Sequence, residues 1–135
     1  MAVVLDANYL VAWQQPGNMD VPEDPATGAP LTKFAERVEY LIAQLEETTT
    51  RIVIPTPALS EFLVRAGAAG APIVALLSKN KNFRIAEFDR RAAIEAAEII
   101  RHELDVVGKK ASLPDSWPKA KFDIQIAAIA KIAGV

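Results

Sequence analysis

The stretch Val3-Val4-Leu5-Asp6-Ala7-Asn8-Tyr9-Leu10, near the start of the chain, decides the predicted fold. Its three consecutive apolar residues, two of them β-branched, are typical of a short strand buried on both faces. If this strand ends at Leu5, then Asp6 lies at its carboxyl end, where open α/β sheets bind their ligands. A purely structural role is equally compatible with the stretch, with Asp6 as a turn residue or as the N-cap of a helix that begins near Ala7.

Strands and helices alternate along the rest of the chain. Arg51–Ile54 is predicted to be a second strand, stopped by two prolines, and Phe83–Phe88 a third. Apolar residues at helical spacing predict the following helices: one capped by Thr32 and ending at Thr48–Thr50, Ala58–Ala66, Ile73–Ser78, one from the cap Asp89 to Val107, and Phe122–Ala133. This order predicts an α/β fold with a parallel sheet and right-handed crossovers.

Two helices and one loop carry more specific expectations. The helix after Asp89 is expected to bury one stripe, made of Ala93, Ala97, Ile100, Leu104 and Val107. Phe122–Ala133 is apolar almost all round, which predicts a buried helix with Asp123 in its first turn. Gln14–Pro30 is rich in proline and glycine and is predicted to be irregular. Long loops in compact domains are often functional or mobile. For this loop, a tolerated surface insertion is the favoured alternative.

The composition limits the class of protein. The 135 residues are enough for one domain, 1–135, with a core of its own. A net charge of −2 argues against a protein that coats nucleic acid, because such binding neutralises many phosphates. The absence of cysteine excludes disulfides and thiolate metal sites. No apolar run approaches a bilayer span and the start MAVVLD has no basic region, so a cytoplasmic protein with no membrane partner is expected.

Three acidic residues lie next to apolar residues that are predicted to form the core. Asp6 follows Val-Val-Leu, Glu61 lies between Leu59 and Phe62, and Asp123 precedes an apolar helix. Isolated buried carboxylates are costly, and a divalent cation bound through oxygen ligands resolves that cost. Each acid also has a structural alternative: Asp6 as a turn former, Glu61 as a residue of a helix surface, and Asp123 as a helix N-cap.

Three segments match a known family in order: VVLDANYLVA, IPTPALSEFLVRAG and KAKFDIQIAAIAK. They hold a strand that ends in Asp, a strand-to-helix turn with P-x-x-x-S/x-E, and an Asp that opens an apolar I-x-A-A-I-A helix. In these segments the chain resembles the PIN-domain family, particularly the VapC-type toxin ribonucleases. The resemblance covers essentially the whole chain.

The resemblance implies a three-layer α/β/α fold with a mostly parallel central sheet. It also implies that Asp6, Glu61 and Asp123 bind Mg²⁺ or Mn²⁺ and hydrolyse RNA phosphodiesters, with Asn8 as a weaker candidate near the metal. The implied protein is the toxin of a toxin-antitoxin pair, a homodimer that a cognate antitoxin protein silences.

Three basic residues are candidates for contact with the RNA backbone. Lys119 and Lys121 lie just before Asp123, and Arg65 follows Glu61 by one helical turn. Ordinary solvated charge is an equal alternative for the two lysines. The single histidine, His102, is expected to be exposed on a helix and to take no part in chemistry.

The chain also departs from the family pattern. PIN domains usually continue after the apolar helix into one more strand and a further acid, whereas this sequence stops at Val135. The resemblance therefore implies a domain that is short at its C-terminal end. The alternative function is a catalytically incomplete PIN-like module that binds a partner protein or RNA. Haloacid-dehalogenase-like phosphatases also open with Asp after a first strand, but they require D-x-D, and Asn8 occupies the second position.

Overall fold

The computed structural model describes residues 1–18, 21–107 and 117–135. Its elements, in chain order, are β1 (Ala2–Val4), α1 (Ala7–Gln14), a 3-10 turn (Pro16–Asn18), α2 (Phe34–Glu47), β2 (Arg51–Pro55), α3 (Thr56–Ala66), a second 3-10 turn (Gly67–Ala69), α4 (Gly70–Lys79), β3 (Phe83–Ala86), α5 (Arg90–Val107) and α6 (Trp117–Ile132). Between Gln14 and Pro30 the described residues form only the first 3-10 turn and an isolated bridge from Glu23 to Pro30, as the irregular composition predicts.

The three strands form one parallel sheet in the order β1-β2-β3. Val3 pairs with Ile52, and Ile54 pairs with Ile85. The N–H of Leu5 donates to the Val53 carbonyl at 3.0 Å, which continues the pairing of β1 up to the residue before Asp6. The prediction of an α/β chain with a parallel sheet is confirmed. The connections between the strands are helical, as parallel strands require.

The core lies on both faces of β2. Ile52 and Ile54 belong to one buried cluster with residues of β1, α1–α4 and β3, among them Leu10, Val11, Val38, Ile42, Phe62, Leu77 and Phe83. Val53 is also fully buried but lies outside this cluster, because successive side chains of a strand point to opposite faces. On that second face α6 contacts β2, and Ala128 and Ile129 of α6 are buried. Helices on both faces are compatible with a three-layer α/β/α arrangement.

Two contacts fix the ends of the sheet against the helices. The indole ring of Trp13 stacks on the ring of Phe83, with centroids 5.0 Å apart and planes 4° from parallel, which joins the end of α1 to the start of β3. At the other end of β3, the N–H of Phe88 donates to the Thr56 hydroxyl at 3.2 Å. The first residue of α3 is therefore tied to the segment that follows the third strand.

Several helix boundaries differ from the predicted ones. The N-cap of α2 is Lys33 in a left-handed conformation, with φ 54°, and no side chain caps the helix, so the prediction of Thr32 as the cap is wrong. Helix α3 begins at Thr56, two residues before the predicted start, because Pro57 is compatible with the first turn of a helix. Helix α4 begins at Gly70, three residues before the predicted start at Ile73.

The buried stripe of α5 lies one residue away from the predicted stripe. Ala92 and Ala96 are buried, whereas Ala93 and Ala97 are exposed. Alanines at adjacent positions offer two equivalent apolar rows, and packing against α6 selects one of them. The side chains of Leu104 and Val107 lie outside the described residues. Asp89 caps the helix as predicted, since its Oδ1 accepts from the Ala92 N–H at 3.0 Å.

Helix α6 is less buried than its composition predicts. It begins at Trp117 rather than Phe122, and among its described side chains only Ala128 and Ile129 are fully buried. Phe122 is 48% exposed. The prediction of a buried helix is wrong because α6 packs on α5, α3 and β2, which cover only part of its circumference.

The segment Thr56–Lys79 is apolar and long enough to cross a membrane, judged by length and composition alone, with a mean hydropathy of 1.4. This finding departs from the expectation that no stretch reaches that length. In the fold, Gly67 at φ 56° ends α3 and a 3-10 turn separates it from α4. Phe62 and Leu77, one from each helix, are buried in the cluster beside the sheet.

Two substitutions on α3 test this packing. Phe62 is fully buried and Val64 is 82% exposed. We expect Phe62→Ala to lower the free energy of unfolding by about 3–5 kcal/mol, because it leaves a cavity in the core. Val64→Ala, on the same helix, is expected to change it by about 0.5 kcal/mol or less. Urea unfolding followed by circular dichroism measures both values, and equal effects would contradict this placement of α3.

Candidate metal centre

One cleft of about 890 Å³ brings the predicted acidic residues together. Its walls come from the N-terminus of α1, from α3 and from α6. The lining residues are Asp6, Ala7, Asn8, Ser60, Glu61, Val64, Arg65, Phe122, Asp123 and Ile126. Five of the seven candidate site residues are in this set, including all three acids. The cleft lies where β1 and β2 end, at the carboxyl edge of the sheet, which is where ligands bind in open α/β sheets.

Asp6 has a structural role in addition to its place in the cleft. It is the N-cap of α1, and its Oδ1 accepts hydrogen bonds from the N–H groups of Asn8 at 3.1 Å and Tyr9 at 3.3 Å. Within the described part of the chain, no hydrogen bond or ion pair engages its Oδ2. The two roles weighed for this residue are therefore not exclusive, since one oxygen caps the helix while the other accepts from no donor of the described residues.

Glu61 and Asn8 are linked by Arg65. The Arg65 Nη2 lies 3.7 Å from the Glu61 Oε1, one helical turn along α3. The Arg65 Nη1 donates to the Asn8 Oδ1 at 3.3 Å, which joins α3 to α1. The side chain of Arg65 is 32% exposed and that of Glu61 is 57% exposed. Both contacts are long for hydrogen-bonded pairs, so they hold these side chains loosely.

Asp123 does not cap a helix. Because α6 begins at Trp117, Asp123 lies in its second turn, and the alternative of a helix N-cap is wrong. Its carboxylate lies on the cleft wall beside Phe122. Within the described residues it has no hydrogen-bond or ion-pair partner. Its carboxylate is therefore exposed on the surface of the cleft.

The three acids are exposed, not buried. Asp6, Glu61 and Asp123 all lie on the open surface of the cleft. The argument that burial in a core would force these carboxylates to bind a cation is therefore wrong, although it selected the residues that share the cleft. Their apolar sequence neighbours, such as Leu5 and Phe62, point into the core while the acids themselves point outward.

The donor atoms of the cleft suit a hard divalent cation. Carboxylate and amide oxygens are the ligands that Mg²⁺ and Mn²⁺ prefer, and the cleft presents three carboxylates with the Asn8 amide. Across residues 1–18, 21–107 and 117–135, however, no three such acids or histidines stand close enough together to hold a metal as they are placed. The residues fit a cation by their chemistry and position, and binding would require their side chains to move together.

The two lysine candidates are not placed in the cleft. Lys121 is exposed on α6 and does not line the cleft. The side chain of Lys119 lies outside the described residues. His102 is exposed on α5, as expected, and is not a lining residue either.

Five lining residues were not predicted: Ala7, Ser60, Val64, Phe122 and Ile126. Helical periodicity offers the signal that locates the last four. Residues three and four positions apart share a helix face, so Val64 lies with Ser60 and Glu61, and Ile126 lies with Phe122 and Asp123. The apolar members make one part of the cleft hydrophobic while the acids and Arg65 make another part charged.

Comparison of the chain with models of protein families, with curated protein sequences and with solved structures gives no significant match.

Two variants of Asp6 separate its capping role from its charge. We expect Asp6→Ala to lower the free energy of unfolding by about 1 kcal/mol, because it removes the cap of α1. Asp6→Asn keeps an oxygen that accepts the same hydrogen bonds, so we expect it to lower the free energy of unfolding by only a few tenths of about 1 kcal/mol. Thermal unfolding without added metal checks this, and an equal loss in both variants would show that the cap does not stabilise the helix.

Proposed function

We propose that this chain is a divalent-metal-dependent endoribonuclease with a PIN-like fold. One observation carries the proposal: Asp6, Glu61 and Asp123, from three separate helical elements, line one cleft at the carboxyl edge of a parallel sheet. The three acids lie far apart in the sequence, and folding brings them to one surface. The resemblance of their sequence segments to PIN-domain ribonucleases supports the same function.

Asp6, Glu61 and Asp123 would hold Mg²⁺ or Mn²⁺, with the Asn8 amide oxygen close by. Bound by these residues, such an ion would supply Lewis-acid chemistry, namely activation of a water for attack on the phosphodiester and stabilisation of negative charge on the phosphate. Asp6 is kept in place by its cap hydrogen bonds, which fix one carboxylate relative to β1 and α1. Glu61 and Asp123 face it from α3 and α6.

A strand of RNA suits the division of the cleft into a charged part and an apolar part. Arg65 can contact a phosphate, because a guanidinium offers two parallel donors to phosphate oxygens. The half-exposed ring of Phe122 lies next to Asp123 and offers a surface on which a base can stack. Lys121, exposed on α6, would add positive charge along the path of the backbone.

The resemblance to VapC-type toxins extends the proposal to partners. In this proposal the chain is the toxin of a toxin-antitoxin pair in the cytoplasm, it forms a homodimer, and a cognate antitoxin protein blocks its cleft. Exposed apolar side chains support a partner surface: Val64, Leu76, Ile94 and Phe122 are each about half exposed or more.

A second candidate function is a catalytically incomplete PIN-like module that binds RNA or a partner protein. The observation that favours it is the separation of the acids, since the described residues hold no group of three that could bind a metal as placed. In such a module the cleft would bind its partner through Arg65, Phe122 and the exposed acids, without cleavage.

Metal binding tests the site without any assay of activity. At a Mn²⁺ concentration ten times the Kd, we expect the free energy of unfolding to rise by about 1.4 kcal/mol and the melting temperature by several degrees. Asp6→Asn is expected to abolish this rise, because it removes the carboxylate charge and keeps the cap of α1.

The control is Glu98→Gln, which removes an exposed acid paired with Arg101 on α5, outside the cleft lining. It should leave the Mn²⁺-dependent rise unchanged. If millimolar Mn²⁺ does not shift the melting temperature of the unmodified protein, the metal site is refuted.

Cleavage of single-stranded RNA tests the reaction. We expect cleavage with Mg²⁺ or Mn²⁺ and none with EDTA. Loss of a group that only supports a metal ligand typically costs about 10–100-fold, so Asp123→Asn is expected to exceed that range. Glu98→Gln serves again as the matched control. Equal cleavage by Asp123→Asn and the unmodified protein would assign the activity to a contaminant or another site.

The two candidate functions give different results in these experiments. A shift of the melting temperature by Mn²⁺ together with cleavage supports the ribonuclease. RNA binding that persists in EDTA, with no cleavage under any metal condition, supports the module.

A further inference from the structure

Arg65 was predicted only as a contact to RNA, but in the structure it contacts two residues of the candidate metal site. It is the one basic residue among the described residues that line the cleft, and three carboxylates line the same cleft. Both groups that it contacts belong to the candidate metal site, namely the Glu61 carboxylate at 3.7 Å and the Asn8 amide oxygen at 3.3 Å. Its guanidinium is therefore engaged with oxygen atoms that a divalent cation would require.

The charges explain why these contacts form without a metal. Three carboxylates from three elements give the cleft negative charge, and the positive guanidinium, 3.7 Å from Glu61, offsets part of it. A guanidinium stays protonated at any physiological pH, so Arg65 is a permanent cation within this group. A divalent cation bound by the same acids would repel the guanidinium and compete with it for Glu61.

The contacts are also weak enough to be exchanged. The pair between Arg65 and Glu61 is partly exposed and its atoms are 3.7 Å apart. Exposed pairs of this kind typically change an equilibrium by a factor of about one to five. A cation that binds several carboxylates at once would displace the guanidinium at a small loss of affinity.

We propose that Arg65 exchanges partners when a cation binds in the cleft. In the metal-free protein it holds Glu61 and Asn8. When the acids take up a divalent cation, Arg65 releases them and turns to a phosphate of the RNA. This inference rests on the proposed function and adds to it a regulatory step: the positioning residue that competes with the metal also receives the substrate.

The proposed exchange predicts that one substitution raises the affinity for metal and lowers the rate of RNA cleavage. Arg65→Gln removes the positive charge and leaves a shorter polar side chain. We expect it to raise the affinity for Mn²⁺ by about two- to ten-fold, because the competing cation is gone. At saturating Mn²⁺ we expect it to lower kcat/KM for RNA by about ten-fold or more, because a charged contact to phosphate is lost. Arg65→Lys keeps the charge and should stay within about two-fold of the Mn²⁺ affinity of the unmodified protein.

Three measurements on the full chain test this proposal. Electron paramagnetic resonance of free Mn²⁺ gives the affinity of each variant in the absence of RNA. NMR of the Arg65 side-chain N–H groups during titration with diamagnetic Mg²⁺ reports the release from Glu61 directly. The RNA cleavage rate at saturating metal gives the third value. Arg101→Gln is the matched control, since it breaks an Arg–Glu pair of α5 at 3.1 Å that lies outside the cleft lining.

Each outcome decides between the inference and the function on which it rests. Equal Mn²⁺ affinity in Arg65→Gln and the unmodified protein overturns the exchange and leaves the metal site standing. Absence of Mn²⁺ binding in every variant overturns the metal-dependent function and the exchange with it. If Arg65→Gln fails to fold, the NMR titration of the unmodified protein still decides, because an Arg65 signal unmoved by saturating Mg²⁺ contradicts the exchange.

Discussion

The parallel pairing of β1 with β2 is the interaction on which the rest of the structure depends. Strand β2 is buried on both faces, so it must be covered by helices on both sides. Pairing continues through the N–H of Leu5, and the chain then leaves the sheet at Asp6. The same geometry that buries β2 therefore delivers an acid to the edge of the sheet, next to the start of α3.

The charge at that edge is only partly offset by other groups of the protein. Asp6 accepts hydrogen bonds from the N–H groups of α1, Glu61 lies beside Arg65, and Asp123 has no partner among the described side chains. The three carboxylates are therefore held to different degrees, and the cap residue Asp6 is the most firmly placed. The acids of this cleft stand apart, and the proposed binding of a cation would require them to come together. The loose contacts of Arg65 are consistent with such a rearrangement.

The candidate site was largely predictable because three of its residues stand at element boundaries or beside recognisable segments. Asp6 follows an apolar run, Glu61 lies within a turn-to-helix segment, and Asp123 precedes alternating isoleucines and alanines. The physical reason first given for them, the cost of burial, was wrong, since the acids point to solvent. Phe122 and Val64 were missed because the rotation of a helix about its axis decides which of its faces meets the cleft. That rotation depends on packing.

The sequence by itself determined the alternation of strands and helices, the parallel sheet and the cap residue Asp89, because these depend on local apolar periodicity and on hydrogen bonds within a few residues. It left the role of Asp6 as a cap as one of two alternatives. Only the tertiary structure decided which row of alanines α5 buries, how much of α6 remains exposed, and that Arg65 reaches Asn8 across 57 residues. Those features depend on contacts between distant segments, and local sequence does not encode the distance or angle at which two helices meet.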